Sequence, residues 1–205
     1  MTFLESINTL LSVIGEAPVS SLSDVGVNTI SDAALASRTL REVDRDVQAE
    51  GWRFNTDTGV TLQKDSGGFF PLPGNCLRAG FSPTRYSDGQ FVVRGKRVYD
   101  RKNQTYAIDD QTLIVDQMVT QLDWDDLPHP AQQYITIRAA RIYSDRFINS
   151  NVIYTYTTQD ETYARSQLIR AEEDSLNNNL LWGNDRGMGQ GLGYIPAAGQ
   201  QYRSN

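Results

Sequence analysis

The hydrophobic period of this 205-residue chain changes twice, and that double change limits its possible folds more than any other feature. From Phe3 to Ile14, the residues Phe3, Leu4, Ile7, Leu10, Leu11 and Ile14 recur at steps of three and four, which predicts an amphipathic helix with one broad apolar face. Gly15 is a natural stop, and a Pro/Ser/Asp-rich link from Ala17 to Asp24 leads on. Ser31 and Asp32 read as the N-cap region of a second helix running to about Glu50, with Gly51 closing it. Its apolar stripe is Ala33, Ala36, Leu40, Val43 and Val47. Arg38, Arg41 and Arg45 occupy a separate polar stripe among Glu42, Asp44 and Asp46.

At Trp52 the helical period gives way to short alternating runs broken by turn residues, and this continues to about Leu127. The predicted strands are Gly59 to Leu62, Cys76 to Ala79, Gln90 to Arg94, Arg97 to Tyr99 and Thr112 to Val115. Arg94-Gly95-Lys96-Arg97 between two such runs predicts a tight hairpin. Pro128-His129-Pro130 ends the β region, and Pro130 suits the first position of a third helix, where its missing N–H costs nothing. That helix is predicted to run to about Phe147 or Asn149, with Tyr134, Ile135, Ala139, Ile142 and Tyr143 in its core. A fourth is predicted from about Gln159 to Trp182, using Tyr163, Ala164, Leu168, Ala171, Leu176 and Leu180.

Helices therefore bracket strands, so the fold class is α+β: a four-helix assembly with an all-β lobe inserted between helices two and three. The division is residues 1–51 for the first two helices, 52–127 for the lobe, 128–182 for the last two helices and 183–205 for a flexible Gly-rich tail. Six glycines fall in those last 23 residues, too many for the tail to pack alone.

An apolar fraction of 39% supports an ordinary core. With a net charge of -6, bulk electrostatics does not draw the chain to nucleic acid, so any DNA contact must be local. A single cysteine, Cys76, excludes an intrachain disulfide and points to a reducing setting. The N-terminal Met-Thr-Phe-Leu-Glu-Ser has no signal-peptide pattern, and no run approaches the roughly 18 apolar residues of a membrane span.

Catalytic chemistry finds few candidates. The one histidine, His129, sits between prolines without a nucleophile or fellow ligand nearby, and Cys76 reads as a small buried strand residue. Asp123-Trp124-Asp125-Asp126 sets an aromatic beside carboxylates, as a glycan hydrolase site does, but pre-helical acids also serve as solvated or capping groups. The glycines from Gly187 to Gly193 alternate, follow no strand and precede no helix, so they form no phosphate cradle. No catalytic, cofactor-binding or metal site is assigned. The electrostatic exception is the segment from Arg78 to Lys102, which carries +5 against -11 for the remainder, with Tyr86, Phe91 and Tyr99 interleaved among its cations.

Three stretches carry a resemblance. Ile14-Gly15-Glu16-Ala17-Pro18-Val19-Ser20-Ser21-Leu22, then Gly51-Trp52-Arg53-Phe54-Asn55 with Gly59-Val60-Thr61-Leu62, then Arg94-Gly95 with Val98-Tyr99-Asp100-Arg101, resemble in order and spacing the tubular tail adaptors, or gatekeepers, of short-tailed bacteriophages. That resemblance implies a structural, non-enzymatic virion protein, assembled in the host cytoplasm into a twelve-subunit ring. The ring would lie under the portal protein, seat the nozzle (tubular protein B) below it and offer tail fibres an attachment surface, with genome DNA passing through the hole. No cofactor and no membrane partner are implied. Candidate interface residues are Arg94, Lys96, Arg97, Arg101 and Lys102 on the basic hairpin. Leu192, Tyr194, Ile195 and Tyr202, spaced along the tail like anchors, are the others. The competing readings are a carboxylate hydrolase of cell-envelope glycans and a nucleic-acid-binding module built on residues 78–102.

Overall fold

The computed structural model describes residues 1–24, 31–87, 89–146 and 156–177. Within them the chain forms α1 (Phe3–Val13), α2 (Asp32–Ala49), β1 (Thr56–Gln63), β2 (Cys76–Gly80), β3 (Phe91–Arg94), β4 (Arg97–Asp100), β5 (Thr112–Thr120), α3 (His129–Arg146) and α4 (Thr158–Asn177). It is an α+β fold in which strands lie between the second and third helices. The predicted tail, including Leu192, Tyr194, Ile195 and Tyr202, lies outside the described residues, as do Leu180 and Trp182.

At both ends of α1 and at the starts of α2 and α3, side chains or backbone satisfy the free polar groups of the helix. The Thr2 hydroxyl accepts from the Glu5 N–H at 3.1 Å, and the Glu5 carboxylate accepts from the Thr2 N–H at 2.7 Å, closing a capping box on α1. At its other end the Gly15 N–H donates to Ser12 O and the Glu16 N–H to Leu11 O, a Schellman turn that Gly15 allows at φ 78°. The Asn8 side chain then clamps the outgoing chain, accepting from the Val19 N–H at 2.9 Å and donating to Val19 O at 3.1 Å. Ser31 caps α2 by accepting from the Ala34 N–H. The third helix starts one residue earlier than Pro130, because the Pro128 carbonyl already accepts from the N–H groups of Ala131 and Gln132. His129 is accordingly the first residue of α3 rather than part of a loop, and it is exposed.

Two separate groups of buried side chains result. The first lies among the helices and contains the whole predicted α2 stripe, Ile7, Leu10 and Leu11 of α1, Tyr134, Ile135, Ala139 and Tyr143 of α3, and Ala164 and Leu168 of α4. Ile142 is only partly buried against it. Tyr163, predicted to be core, is 67% exposed. It sits one residue before Ala164 and so is turned about 100° away from the face that α4 lays on α3. The second group fills the lobe, with Leu62, Phe70, Phe91, Val98, Leu113 and Val115 among its members.

The lobe holds a three-stranded antiparallel sheet in the order β1-β5-β2 and the separate β3-β4 hairpin. The fifth strand extends past the predicted Val115 to Thr120, since it is the central strand and has ladder partners on both edges. Cys76 is half-buried against the lobe core, not fully inside it.

Where the chain enters and leaves the lobe, α2 and β5 are joined by polar side chains. Buried Gln48 accepts from the Leu122 N–H at 2.7 Å and donates to Leu122 O at 3.1 Å, acting as a one-residue strand partner. Asn55 donates to Gln48 O and to Thr120 O, while its own oxygen accepts from the Trp52 N–H. Gly51 makes the sharp exit from α2 at φ 82°, and a Cβ there would stand 2.5 Å from Arg78 Nη2. That guanidinium donates to Glu50 O, and the Trp52 indole to Val47 O, so both satisfy carbonyls at the end of α2.

Replacing Gln48 by Ala leaves the Leu122 N–H and C=O without partners in a part-buried joint, so we expect a loss of about 2–4 kcal/mol, measured by urea unfolding. Asp44, one turn before Gln48, has its carboxyl pushed up by burial, only partly offset by hydrogen bonds from Gln48 and Gln121 and by the charge of Arg41. Its ionised form therefore costs stability at neutral pH. Asp44→Asn is expected to melt at a higher temperature than wild type at pH 7. That advantage should shrink as pH falls through the raised folded-state value and vanish below the ordinary 3.8, as read in thermal melts across pH.

Candidate functional site

The β3-β4 hairpin turns through Gly95 and Lys96, both at positive φ (57° and 60°), the geometry of a type I′ turn that matches strand twist. Alternation along its strands gives it two faces. Phe91, Val98 and Asp100 are buried, whereas Arg94 pairs across the ladder with Arg97, and Val92 with Tyr99, on the opposite face. The buried face rests on an aromatic triangle in which Phe81, Tyr86 and Phe91 meet edge to face at 5.0–6.2 Å. Tyr86 reaches on to accept from the Ile114 N–H of the central strand, which ties the hairpin to the main sheet.

On the outer face, the Arg94 guanidinium lies 4.0 Å from the Tyr99 ring centre and that of Arg97 lies 4.9 Å from Phe69. Tyr106 connects the two pairs, edge to face with Tyr99 at 4.9 Å and with Phe69 at 6.5 Å. Lys96 donates to Gly74 O at 2.7 Å, and Arg101 reaches Gly89 O at 3.4 Å, while Lys102 is exposed. The predicted hairpin cations thus share one region, and two of them sit over rings.

Asp100 fixes the base of the hairpin. Its carboxylate accepts from the N–H groups of Lys102 and Asn103 and from the amides of Asn103 and Gln90, at 2.8–3.2 Å. Burial by itself would push this carboxyl up, but those donors outweigh it and hold it below the usual carboxylate range. Short-range spacing shows Asp100 as a charge and as part of the Val98-Tyr99-Asp100-Arg101 motif, without giving it this role. The signal that could have found it was the Asp-Arg-Lys-Asn run, since Asp commonly accepts from N–H groups two and three residues on.

The other candidates are dispersed. Asp123, Asp125 and Asp126 are exposed around a 3₁₀ turn at Trp124–Asp126, but the Trp124 ring is buried edge-on against Phe3 and its indole N–H donates to Met1 O. It therefore offers no open face on which a sugar could stack. Burial raises the Cys76 thiol above its ordinary value, which disfavours the thiolate. Among the described residues, no three His, Cys, Asp or Glu side chains converge in a metal-holding group. A cleft of about 480 Å³ between α2 and α3 is lined by Leu35, Arg38, Thr39, Glu42, Tyr143 and Arg146, and Arg146 spans it to Thr39 at 2.9 Å and Glu42 at 3.2 Å.

The densest ionic cluster outside the lobe is internal. Arg165 pairs with Glu50 at 2.8 Å and Arg138 with Glu50 at 3.7 Å. Arg138 and Arg141 both meet Glu161, and the Tyr134 hydroxyl accepts from Arg138 and Arg165. These groups fasten α4 to α3 and to the end of α2. Sequence periodicity missed them because they join residues up to 115 positions apart.

A family model described as tail tubular protein matches residues 4–177. No curated protein sequence matches the chain. Changing Asp123, Asp125 and Asp126 together to Asn is expected to shift stability by no more than about 0.5 kcal/mol, because each is exposed. Chemical denaturation checks that. A wild-type activity on peptidoglycan or capsule polysaccharide that the triple variant loses would revive the hydrolase reading.

Proposed function

The chain belongs to the tail tubular protein family, and from that membership we propose that it is the ring-forming adaptor joining portal to nozzle in a short-tailed bacteriophage. A structural role in the phage tail, and with it a place in the virion, follows from the family itself, which is a family of structural tail proteins and not of enzymes. The finer reading is ours. Twelve copies close into a ring in the host cytoplasm, the portal sits above, tubular protein B below, tail fibres attach beside the junction, and genome DNA passes through without specific binding. The chain itself catalyses nothing. No helix among the described residues is long and apolar enough to cross a membrane.

The observation that carries this reading is the extent of the match. It runs from α1 through the inserted lobe to the end of α4, so one family model spans helices and lobe together. The architecture is consistent with an adaptor, because its polar groups are spent on joints and caps. Gln48, Asn55, Asp100 and the Glu50–Arg165 pair hold elements together, leaving the hairpin face and the outer helix surfaces for neighbours. A free nucleic-acid module is the weaker reading. Phosphates neutralised along a conduit would add salt-dependent affinity and slow the passage of DNA.

Light scattering of the chain, alone and with its portal protein, tests the adaptor: a closed ring in either sample is the expected result, and a monomer that ignores portal would overturn it. We also propose that Leu192, Tyr194, Ile195 and Tyr202 dock the tail on the portal or an adjacent subunit. Truncation after Trp182 should leave the melting temperature nearly unchanged while markedly weakening portal attachment or ring assembly. Equal attachment by the truncated chain would remove the tail from that role.

A further inference from the structure

We infer that the outer face of the β3-β4 hairpin seats against the outward face of α4 on a second copy of this chain, an inference that rests on the ring proposed above. The hairpin face is a built surface. Stacking on Tyr99 and Phe69 fixes Arg94 and Arg97, so little side-chain freedom remains to be lost when a partner arrives. Among the described residues, none of Arg94, Lys96, Arg97, Arg101 and Lys102 pairs with a carboxylate, whereas Arg138, Arg141, Arg146 and Arg165 all do. The hairpin cations are therefore available to carboxylates from elsewhere.

Exposed apolar side chains say where those carboxylates lie. Six large hydrophobic residues are exposed among the described residues, and three of them fall on two patches: Tyr106 (38%), packed against Tyr99 on the outer hairpin face, and Tyr163 (67%) and Ile169 (41%) on α4. Beyond Ile169 on that helix stand the exposed acids Glu173 and Asp174, and α4 as a whole carries -3. Of its remaining charged groups, Asp160 accepts from the Thr157 N–H and hydroxyl at the helix start, and the others divide by face. Arg165, Glu161 and Glu172 turn inward to Glu50, Arg141 and the Arg53 N–H, leaving the outward face to Tyr163, Ile169, Arg170 and these acids.

Each patch thus exposes apolar surface, Tyr106 on one and Tyr163 with Ile169 on the other, and their charges are opposite. A cationic face cannot lie against its own copy without bringing like charges together, which excludes a two-fold contact of hairpin on hairpin. Contact between two different patches is heterologous, and repeated around an axis it closes a ring. Duplex DNA is the other polyanion that could meet such a face, and the test separates the two.

Carbodiimide cross-linking of the full chain in its assembled form, in solution or in tail particles, should join Lys96 or Lys102 of one copy to Glu173 or Asp174 of another. Reversing either side alone, Arg94→Glu with Arg97→Glu or Glu173→Lys with Asp174→Lys, should raise the concentration needed for assembly by about tenfold or more. An equimolar mixture of the two variants restores only the contacts between unlike chains, and one chain carrying all four changes should restore assembly throughout. The α4 variant alters exposed side chains, so it stays informative even if the hairpin variant melts early. Unimpaired rings from the α4 variant would overturn this contact and leave the adaptor standing, as would cross-links from the hairpin to portal or fibre chains. Tight duplex binding in a low-salt mobility shift, lost with Arg94→Glu and Arg97→Glu, would assign the face to DNA instead. A wild type that assembles under no condition would remove the ring as well.

Discussion

The two-way hydrogen bond between the Gln48 side chain and the Leu122 backbone is the constraint on which the architecture depends. An inserted lobe must leave and re-enter its host at neighbouring points, and the backbone there belongs to neither a helix nor a sheet. Its N–H and C=O groups would be left without partners in a part-buried joint. Gln48 supplies a donor and an acceptor in the geometry of one strand residue, and the Asn55 amide donates to both Gln48 O and Thr120 O. The joint is short because both ends of the lobe are fastened to the last turn of the same helix. Gly51 lets the chain turn there, and Arg78 from β2 fills the space that a side chain at position 51 would take.

From that joint the helices and the lobe are organised by different means. The helical core is an apolar assembly reinforced at its outer layer by the Arg138, Arg141, Arg165, Glu50 and Glu161 network, which compensates for a fourth helix that buries only a narrow stripe. The lobe is small, and aromatic side chains carry much of its packing: Phe81, Tyr86 and Phe91 beneath the hairpin, Phe69, Tyr99 and Tyr106 on its outer side. The arginines of the outer side are packed as well as charged. Their effect on a partner therefore differs from that of lysines on flexible stems, since the position of each charge is already set.

Periodicity was legible wherever a residue's role is decided by its neighbours three or four positions away. The α2 stripe, the N-cap at Ser31, the left-handed turns at Gly15 and Gly51 and the Gly95-Lys96 hairpin all depend on local geometry, and all are found in the structure. What short-range spacing left open shares a cause. Tyr163 fits a helical pattern but faces outward, because α4 has a packing partner on one side only and the sequence does not say which. Trp124 beside three aspartates resembles a binding platform until Phe3, more than a hundred residues earlier, covers it. Asp100 reads as one charge in a basic segment, yet it is the acceptor that closes the hairpin base.

What the sequence determined by itself was the α+β class, the order of elements and the segregation of positive charge into one segment, because these follow from composition and short-range spacing. The family resemblance was legible too, since its motifs mark turns and caps whose chemistry is local: Gly15, Gly51, and the Asn55 that ends Gly-Trp-Arg-Phe-Asn. Only the tertiary structure decided what those residues hold together. Gln48 meets Leu122 across 74 positions and Arg165 meets Glu50 across 115, and such pairings arise because packing brings distant segments within hydrogen-bond reach, where an unpaired buried polar group would be costly.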